Sequence, residues 1–405
     1  MSVPARGTAV VVLAACFVLN MLGRGVGDTY AVFLLPLERE YGWARSQLTS
    51  VYSVYLLVSG FTAPLVGLFF DRVGPRWVYA AGLACVGGAF ALAGWLDQLW
   101  QFYLLIGVTV GTGVAMTGMV PASALLSRWF RARLSRAIGI AFSGAGLGIV
   151  TFVPLTQYLV DQYGWRAAYH ALGALLLAVV PFVLLAVPLR RFAAGRAAAR
   201  RGTNAAAEGD WTLRSAMATR IYWGMAQAFF FTATGMFAIM VQLVAFLVDA
   251  GFSPIAAASA FGVCGMLSAG SVMGSGFLVE RFGYRQIVTL SFVGTIFGMI
   301  LLLLLAARPS IALLIAFVLL FGMSMGVRGP IISSICTRHF AGARVATIYG
   351  TVFAVNSIGA ALGSLIGGVL HDFTGSYTMV LVFSLCSIAL ASAPFWTVPA
   401  LRNYR

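Results

Sequence analysis

A chain of 405 residues that is 61% hydrophobic and only 9% charged, with a mean hydropathy of +0.95, is too apolar for a water-soluble fold. Its net charge of +15 comes from arginine alone, for no lysine occurs, and the placement of those arginines accounts for the charge without a nucleic-acid partner. The composition leaves a multi-pass membrane protein embedded in a lipid bilayer.

Apolar runs of roughly 20 residues or more, enough to cross about 30 Å of hydrocarbon, recur along the chain near 9–35, 47–70, 77–96, 100–127, 136–160, 167–189, 218–248, 254–279, 286–307, 311–336, 345–370 and 377–400. Lipid satisfies no backbone hydrogen bonds and the runs lack the alternation of barrel strands, so twelve helices are expected. With the N-terminus inside, twenty arginines collect on the cytoplasmic side, while Arg39, Arg45, Arg166 and Arg308 stay outside. That asymmetry puts both termini in the cytoplasm.

The first run contains "NMLGRGVGDTY" at 20–30. A charge near the bilayer centre costs about 2.5–3.5 kcal/mol on insertion scales, so it calls for a function or a partner. Asn20, Arg24 and Asp28 are four residues apart and share one stripe of a helix, whereas Val18, Leu22 and Val26 lie off it. The tenth run carries the other deep charge, Arg328, two residues before Pro330. Arg24 and Asp28 could simply neutralise each other as an i, i+4 pair. Arg328 then has no acid within a span, and two arginines against one aspartate leave a positive charge that an anionic substrate would balance. Arg24 and Arg328 are the expected carboxylate clamp, and Asp28 the expected proton-coupling residue. Asn20, Tyr30, Tyr55, Gln242, Tyr349 and Asn356 are further candidates for substrate contact, each equally explicable by packing or interhelical hydrogen bonding.

The chain also repeats itself. "YGWARSQ" at 41–47 and "AGFSPIA" at 250–256 open two stretches that align without a gap as far as "GLFFDRVGPRW" at 67–77 and "GFLVERFGYRQ" at 276–286. "RWF" at 128–130 pairs with "RHF" at 338–340, and "DQYG" at 161–164 with "DFTG" at 372–375. The expected organisation is a six-helix half over 1–189, an arginine-rich cytoplasmic linker over 190–217 and a second half over 218–405.

Other strings carry no chemistry. The cysteines, Cys16, Cys85, Cys264, Cys336 and Cys386, all fall in runs without CxxC spacing, which suits buried packing rather than disulfides. "LAAC" ending at Cys16 imitates a lipoprotein signal, but the apolar run continues past it. "GMSMG" at 322–326 fits a nucleophile elbow only on a strand-to-helix turn, and it lies inside an apolar run. "GAGLG" at 144–148 reads as close helix packing. No cofactor or metal site is expected, and no enzyme.

The duplicated plan, with G-x-x-x-[DE]-R-x-G-x-R after the second span of each half, resembles the major facilitator superfamily of secondary transporters. The resemblance implies an all-α membrane protein of two pseudo-symmetric six-helix bundles, alternating access, and a central cavity lined by helices one, four, seven and ten. It also implies a cytoplasmic gate of ionic contacts, formed here by Asp71, Arg72, Arg76, Arg128 and Arg136 and by Glu280, Arg281, Arg285, Arg338 and Arg344. "WFRARLSRAIGIAFSGAGLGIVTFVPLTQYLVDQYGWRAAY" at 129–169 and "YAVFLLPLEREYGWARSQ" at 30–47 resemble the monocarboxylate transporter and oxalate/formate antiporter branches. They imply a small organic anion, a monocarboxylate above all, moved by proton symport or anion exchange, by a monomer in a bacterial-type inner membrane. The chain departs from those branches in having no charge in its eighth and eleventh runs, so the substrate's identity does not carry over. An efflux antiporter for drugs or cationic amphipathic compounds is the alternative, although such a carrier usually places unpaired acids in its cavity. A membrane receptor is the remaining one.

Overall fold

The computed structural model describes residues 3–402 except 119–120, 123–124, 127–128, 131–133, 186–210 and 341–344, and the described residues contain helices and no strand. Ten helices among them are long and apolar enough to cross a membrane. In the first half, α1 (Val3–Gly27) and α2 (Tyr30–Tyr41) share the first apolar run, followed by α3 (Arg45–Val73) and α4 (Pro75–Ala93). Next comes α5 (Leu99–Thr117), which contains a π-helical stretch over Tyr103–Val110. The run α6 (Leu134–Leu185) is 52 residues long and breaks at Gly164. The second half holds α7 (Arg220–Met240), α8 (Leu243–Asp249), α9 (Pro254–Phe282), α10 (Tyr284–Ala307), α11 (Ile311–Met325), α12 (Arg328–His339), α13 (Val345–Thr374) and α14 (Tyr377–Ser392).

Several apolar runs expected as single helices are interrupted. The first breaks at Asp28–Thr29, the seventh at Val241–Gln242 and the tenth at Gly326–Val327. The causes are local. Thr29 donates its hydroxyl to the Val26 carbonyl at 2.7 Å, closing a turn that competes with the helix. Pro330 lacks an N–H and is tolerated only in the first turn of α12, which fixes where the tenth run must restart. By contrast α3, α9 and α13 run unbroken for 29, 29 and 30 residues. Irregular backbone within a membrane is accommodated where protein or a cavity surrounds it.

The sequence repeat is also a backbone repeat. The glycines with positive φ among the described residues form three pairs, Gly42 with Gly251, Gly74 with Gly283 and Gly164 with Gly375, each at matching places in the aligned stretches. Gly74 (φ 88°) and Gly283 (φ 82°) turn the chain between α3 and α4 and between α9 and α10, in a region that a Cβ disfavours.

Helices meet through small residues, since a bilayer supplies no hydrophobic drive between them. A Cβ added at Gly144 or Gly148 of α6 would stand 2.3 Å from the carbonyl oxygen of Phe17 or Met21 in α1. Gly359, Gly363 and Gly367 of α13 are pressed in the same way against Phe230, Thr234 and Ala238 of α7. The "GAGLG" string is thus a helix-packing surface. Two large apolar clusters result, one drawn mainly from α1–α6 and one mainly from α7–α14. Between them α3 packs on α13 and α6 on α9, where Gly60 faces Ser357 and Gly146 faces Ala269.

Candidate functional site

A cavity of about 210 Å³ lies between the two clusters, walled by α1, α2, α3, α6, α7, α9 and α11. Its charged lining residues are Arg24 and Asp28. Most of the remaining wall is apolar.

Arg24 and Asp28 lie one helical turn apart at the break between α1 and α2. Arg24 donates its Nε to Asp28 Oδ2 at 2.9 Å. The other carboxylate oxygen accepts the Tyr52 hydroxyl at 3.0 Å and the Tyr55 hydroxyl at 3.4 Å, both from α3. Asp28 is therefore buried with both oxygens engaged, while the Arg24 side chain remains 34% exposed. Asp28 occupies the Nε edge, and among the described residues no protein acceptor is recorded on the terminal nitrogens. Those two donors form the edge that binds a planar carboxylate in bidentate fashion.

Arg328 is built differently. It opens α12 just after the break in the tenth run, only 1% exposed. Its Nη2 donates to Thr295 Oγ1 at 2.6 Å and lies 3.8 Å from Met236 Sδ, while the guanidinium carbon sits 4.8 Å from the Phe292 ring centre. Nε and Nη1 are buried with no hydrogen-bond partner among the described residues, and no carboxylate among them pairs with it. An orphaned buried donor costs about 1–3 kcal/mol, more for a charged group. A cation–π contact returns about 2 kcal/mol when desolvated, so Thr295 and Phe292 leave the charge unmatched. Arg328 does not line the cavity, but Met236 does. Met236 thus touches both the second arginine and the chamber lined by the first.

The other sequence candidates are scattered around this centre. Asn20 is buried, with its amide donated to the Cys16 carbonyl of its own helix at 2.9 Å. Tyr30 stacks on Tyr52 and donates to the Leu48 carbonyl. Gln242 stands in the break between α7 and α8, donating to the Ala238 carbonyl while its Oε1 has no partner among the described residues. Tyr349 packs near Phe353, and Asn356 is half-buried on α13. None of these five lines the cavity, nor does Tyr55 directly. Of the loop set, Arg76, Arg281 and Arg285 lie over Trp77, Phe282 and Trp396. The side chains of Asp71, Arg72, Arg128, Arg136, Glu280, Arg338 and Arg344 lie outside the described residues. Sequence reasoning missed Tyr52, although it stands three residues before Tyr55 and so on the same face of α3. Thr295 and Met236 gave no signal, being ordinary residues of apolar runs.

Comparison with known proteins bears on what such a chamber does. The family model described as Major Facilitator Superfamily matches residues 13–364 and 274–403. The chain belongs to the Major Facilitator Superfamily. Monocarboxylate transporter 13 of Rattus norvegicus is 28% identical over 397 residues, covering 98% of this chain and 90% of that protein. Monocarboxylate transporter 3 of the same species is also 28% identical, over 96% of this chain and 79% of that protein. Among solved structures, a bacterial homolog of the human lysosomal transporter Spinster, in an inward-facing and unoccupied conformation, superposes with a TM-score of 0.72 at 14% identity, over 100% of this chain and 98% of that one. That likeness is one of fold. The chain is a multi-pass membrane transporter of this superfamily, similar to the monocarboxylate transporter branch, and not an enzyme.

In this transporter the two clusters are also joined by a polar knot at one end. Arg45, at the start of α3, pairs with Glu38 at 2.5 Å and Asp249 at 3.8 Å and donates to the Tyr377 hydroxyl at 2.6 Å. Asp372, near the end of α13, accepts the backbone N–H groups of Arg45 and Ser46 at 3.0 and 2.8 Å. The N-cap residue of α3 is Ala44, which has no side-chain oxygen, so a carboxylate from the other half caps the helix in its place. These contacts tie the first half to the second at this end.

Proposed function

We propose that this transporter moves a small organic anion, a monocarboxylate, by alternating access, with Arg24 as the receptor for its carboxylate and Arg328 as the second arm of the clamp. The observation that carries the reading is the charge of Arg328, unmatched among the described residues and next to Met236, near a chamber where the Arg24 terminal nitrogens have no acceptor among the described residues. Methionine has three rotatable bonds and fills gaps adaptably, so in this reading a rotation of Met236 opens the Arg328 guanidinium to the chamber. Superfamily membership and the similarity to proteins named monocarboxylate transporters point the same way.

In this reading the chain spans a bacterial-type inner membrane twelve times with both termini in the cytoplasm, counting α6 as two spans about Gly164. Residues 1–189 and 218–405 rock against each other as a functional monomer, joined by the 190–217 linker. The Arg45 knot closes the outer side, and the Asp71 and Glu280 loops gate the inner one. When the substrate draws Arg24 toward itself, Asp28 loses its ion-pair partner in a buried site and takes up a proton, which couples transport to proton symport. Anion exchange uses the same clamp without that step.

The test is counterflow of carboxylates in proteoliposomes. Arg24→Ala and Arg328→Ala, each inserted in the membrane at wild-type levels, are both expected to lose exchange at least a hundredfold, as expected when a charged hydrogen-bonding partner is removed. Normal exchange in either variant overturns the clamp.

A further inference from the structure

The wall of the cavity says more about the substrate than its charged end does. Resting on the anion-carrier reading above, we infer that the substrate is a monocarboxylate with an uncharged, ring-sized apolar body, an arylalkanoate, rather than a short hydroxy acid or a dicarboxylate. The inference comes from what lines the chamber opposite Arg24. Phe142 of α6, Met236, Phe237 and Met240 of α7, Phe261 of α9 and Met325 of α11 converge on it. The polar lining beyond Arg24 and Asp28 comes to Tyr52, whose hydroxyl is already donated to Asp28, and Ser268.

Three consequences follow for an occupant. In the clamp above both guanidiniums are taken by the one carboxylate, so a second carboxylate on the substrate would be left with the negative charge of Asp28 or a wall of methionine and phenylalanine with nothing to hydrogen-bond it, and a buried unpaired charge is strongly disfavoured. The hydroxyl or keto group of a short acid would compete for one serine, so the chamber offers little to hold it in orientation. An apolar body, by contrast, gains about fourfold in affinity for each methylene taken from water. Phenylalanine edges and methionine sulfur are favourable neighbours for an aromatic ring. Size agrees, because an engineered apolar cavity of about 150 Å³ accepts benzene, and about 210 Å³ leaves room for the ring and a short arm reaching Arg24.

The experiment uses the full chain in proteoliposomes loaded with either phenylacetate or lactate. Labelled phenylacetate or lactate is supplied outside, with lactate, phenylsuccinate, phenylacetamide and phenethylamine as competitors. Phenylacetate is expected to exchange, with lactate, phenylsuccinate and phenylacetamide each needing about tenfold or more higher concentration to compete. Met240→Asn is expected to narrow the gap between phenylacetate and lactate by placing a polar group in the apolar wall. Lactate exchange that phenylacetate fails to inhibit at equal concentration overturns the apolar body while leaving the anion carrier standing, as does phenylsuccinate outcompeting phenylacetate. Uptake of labelled phenethylamine, supplied in a parallel run, without exchange of any carboxylate overturns both. The wild-type competition series decides the matter even if the Met240 variant does not fold.

Discussion

The two arginines in the membrane interior are built on opposite principles. Arg24 sits at a helix break beside its own acid, Asp28, whose oxygens are filled by Arg24, Tyr52 and Tyr55. Arg328 sits at the corresponding kind of break in the second half with a threonine, a methionine sulfur and an aromatic face for company, and no acid among the described residues. The first is a balanced pair that still presents two donors to a cavity. The second is a buried charge held in reserve. The difference teaches what the proposed clamp asks of each side: Arg24 would have to exchange its hold on Asp28 for the anion, whereas Arg328 has no acid to give up among the described residues and would gain its first charged partner.

Stability gives the largest contrast between the two sites. Removing one member of a buried ion pair costs about 3–5 kcal/mol when both are enclosed. Arg24 is a third exposed, so Arg24→Met is expected to cost about 2 kcal/mol and lower the melting temperature in detergent. Replacing whole buried ion pairs by apolar residues is often neutral or stabilising by about 1–4 kcal/mol, and Arg328→Met likewise puts an apolar side chain of similar length in place of a buried charge without leaving a charged partner behind. The melting temperature of that variant is expected to hold or rise although exchange is lost. If Arg328→Met melts as low as Arg24→Met, Arg328 has a structural partner and the contrast between the sites disappears.

Neutralising Asp28 separates pairing from proton coupling. Asp28→Asn can keep its one oxygen on the Arg24 Nε and turn its NH2 toward the tyrosine side, where a hydroxyl oxygen can accept, so the helix break and the chamber are expected to survive. It cannot carry a proton on and off. Uptake against a concentration gradient, driven by an imposed pH difference, is expected to fall to equilibration, while counterflow with substrate on both sides continues at a reduced rate. Accumulation at the wild-type level in this variant would reduce Asp28 to a structural counter-ion, and would make the first site as purely structural as its hydrogen bonds allow.

Much of this architecture could be read in the residues, and the parts that could not share a cause. The long apolar runs, the duplicated glycine turns and the i, i+4 spacing of Arg24 and Asp28 are all local patterns. Gly74 and Gly283 repeat in the chain because the same turn must be made twice. Pro330 and the Gly27–Asp28–Thr29 stretch mark places where a helix is hard to continue, yet the apolar runs around them masked the interruptions. What stayed hidden depends on contacts across the bundle. Arg328 next to Met236 requires knowing that α12 starts beside α7 and α10, and neither Thr295 nor Met236 is unusual as a residue. The capping of α3 by Asp372 joins groups 327 and 326 positions apart. Only the absence of a hydroxyl or carboxylate at Ala44 hinted that the cap came from elsewhere.

That cap allows the smallest and most specific test, because two ion-pair clusters at the same end of the transporter differ in what they connect. Arg45, Glu38, Asp249 and Asp372 tie one half to the other, whereas Glu40 and Arg166, paired at 2.6 Å, lie within the first half with both side chains substantially exposed. A helix cap is worth about 1 kcal/mol, which corresponds to about a fivefold change in a two-state ratio. Asp372→Ala is therefore expected to shift the population toward opening at this end by about that factor. The shift would be read as a second, longer distance between spin labels at Trp95 and Phe373, two exposed positions on opposite halves, in a cysteine-free background. Arg166→Ala removes an exposed pair worth less than about 1 kcal/mol that does not cross between the halves, so the distance distribution should stay as in the wild type. Equal effects from the two substitutions would mean that surface charge in general, rather than the shared cap on α3, holds this end shut. An effect confined to Asp372→Ala places the restraint on the backbone N–H groups of Arg45 and Ser46, which lose their acceptor only when the two halves separate.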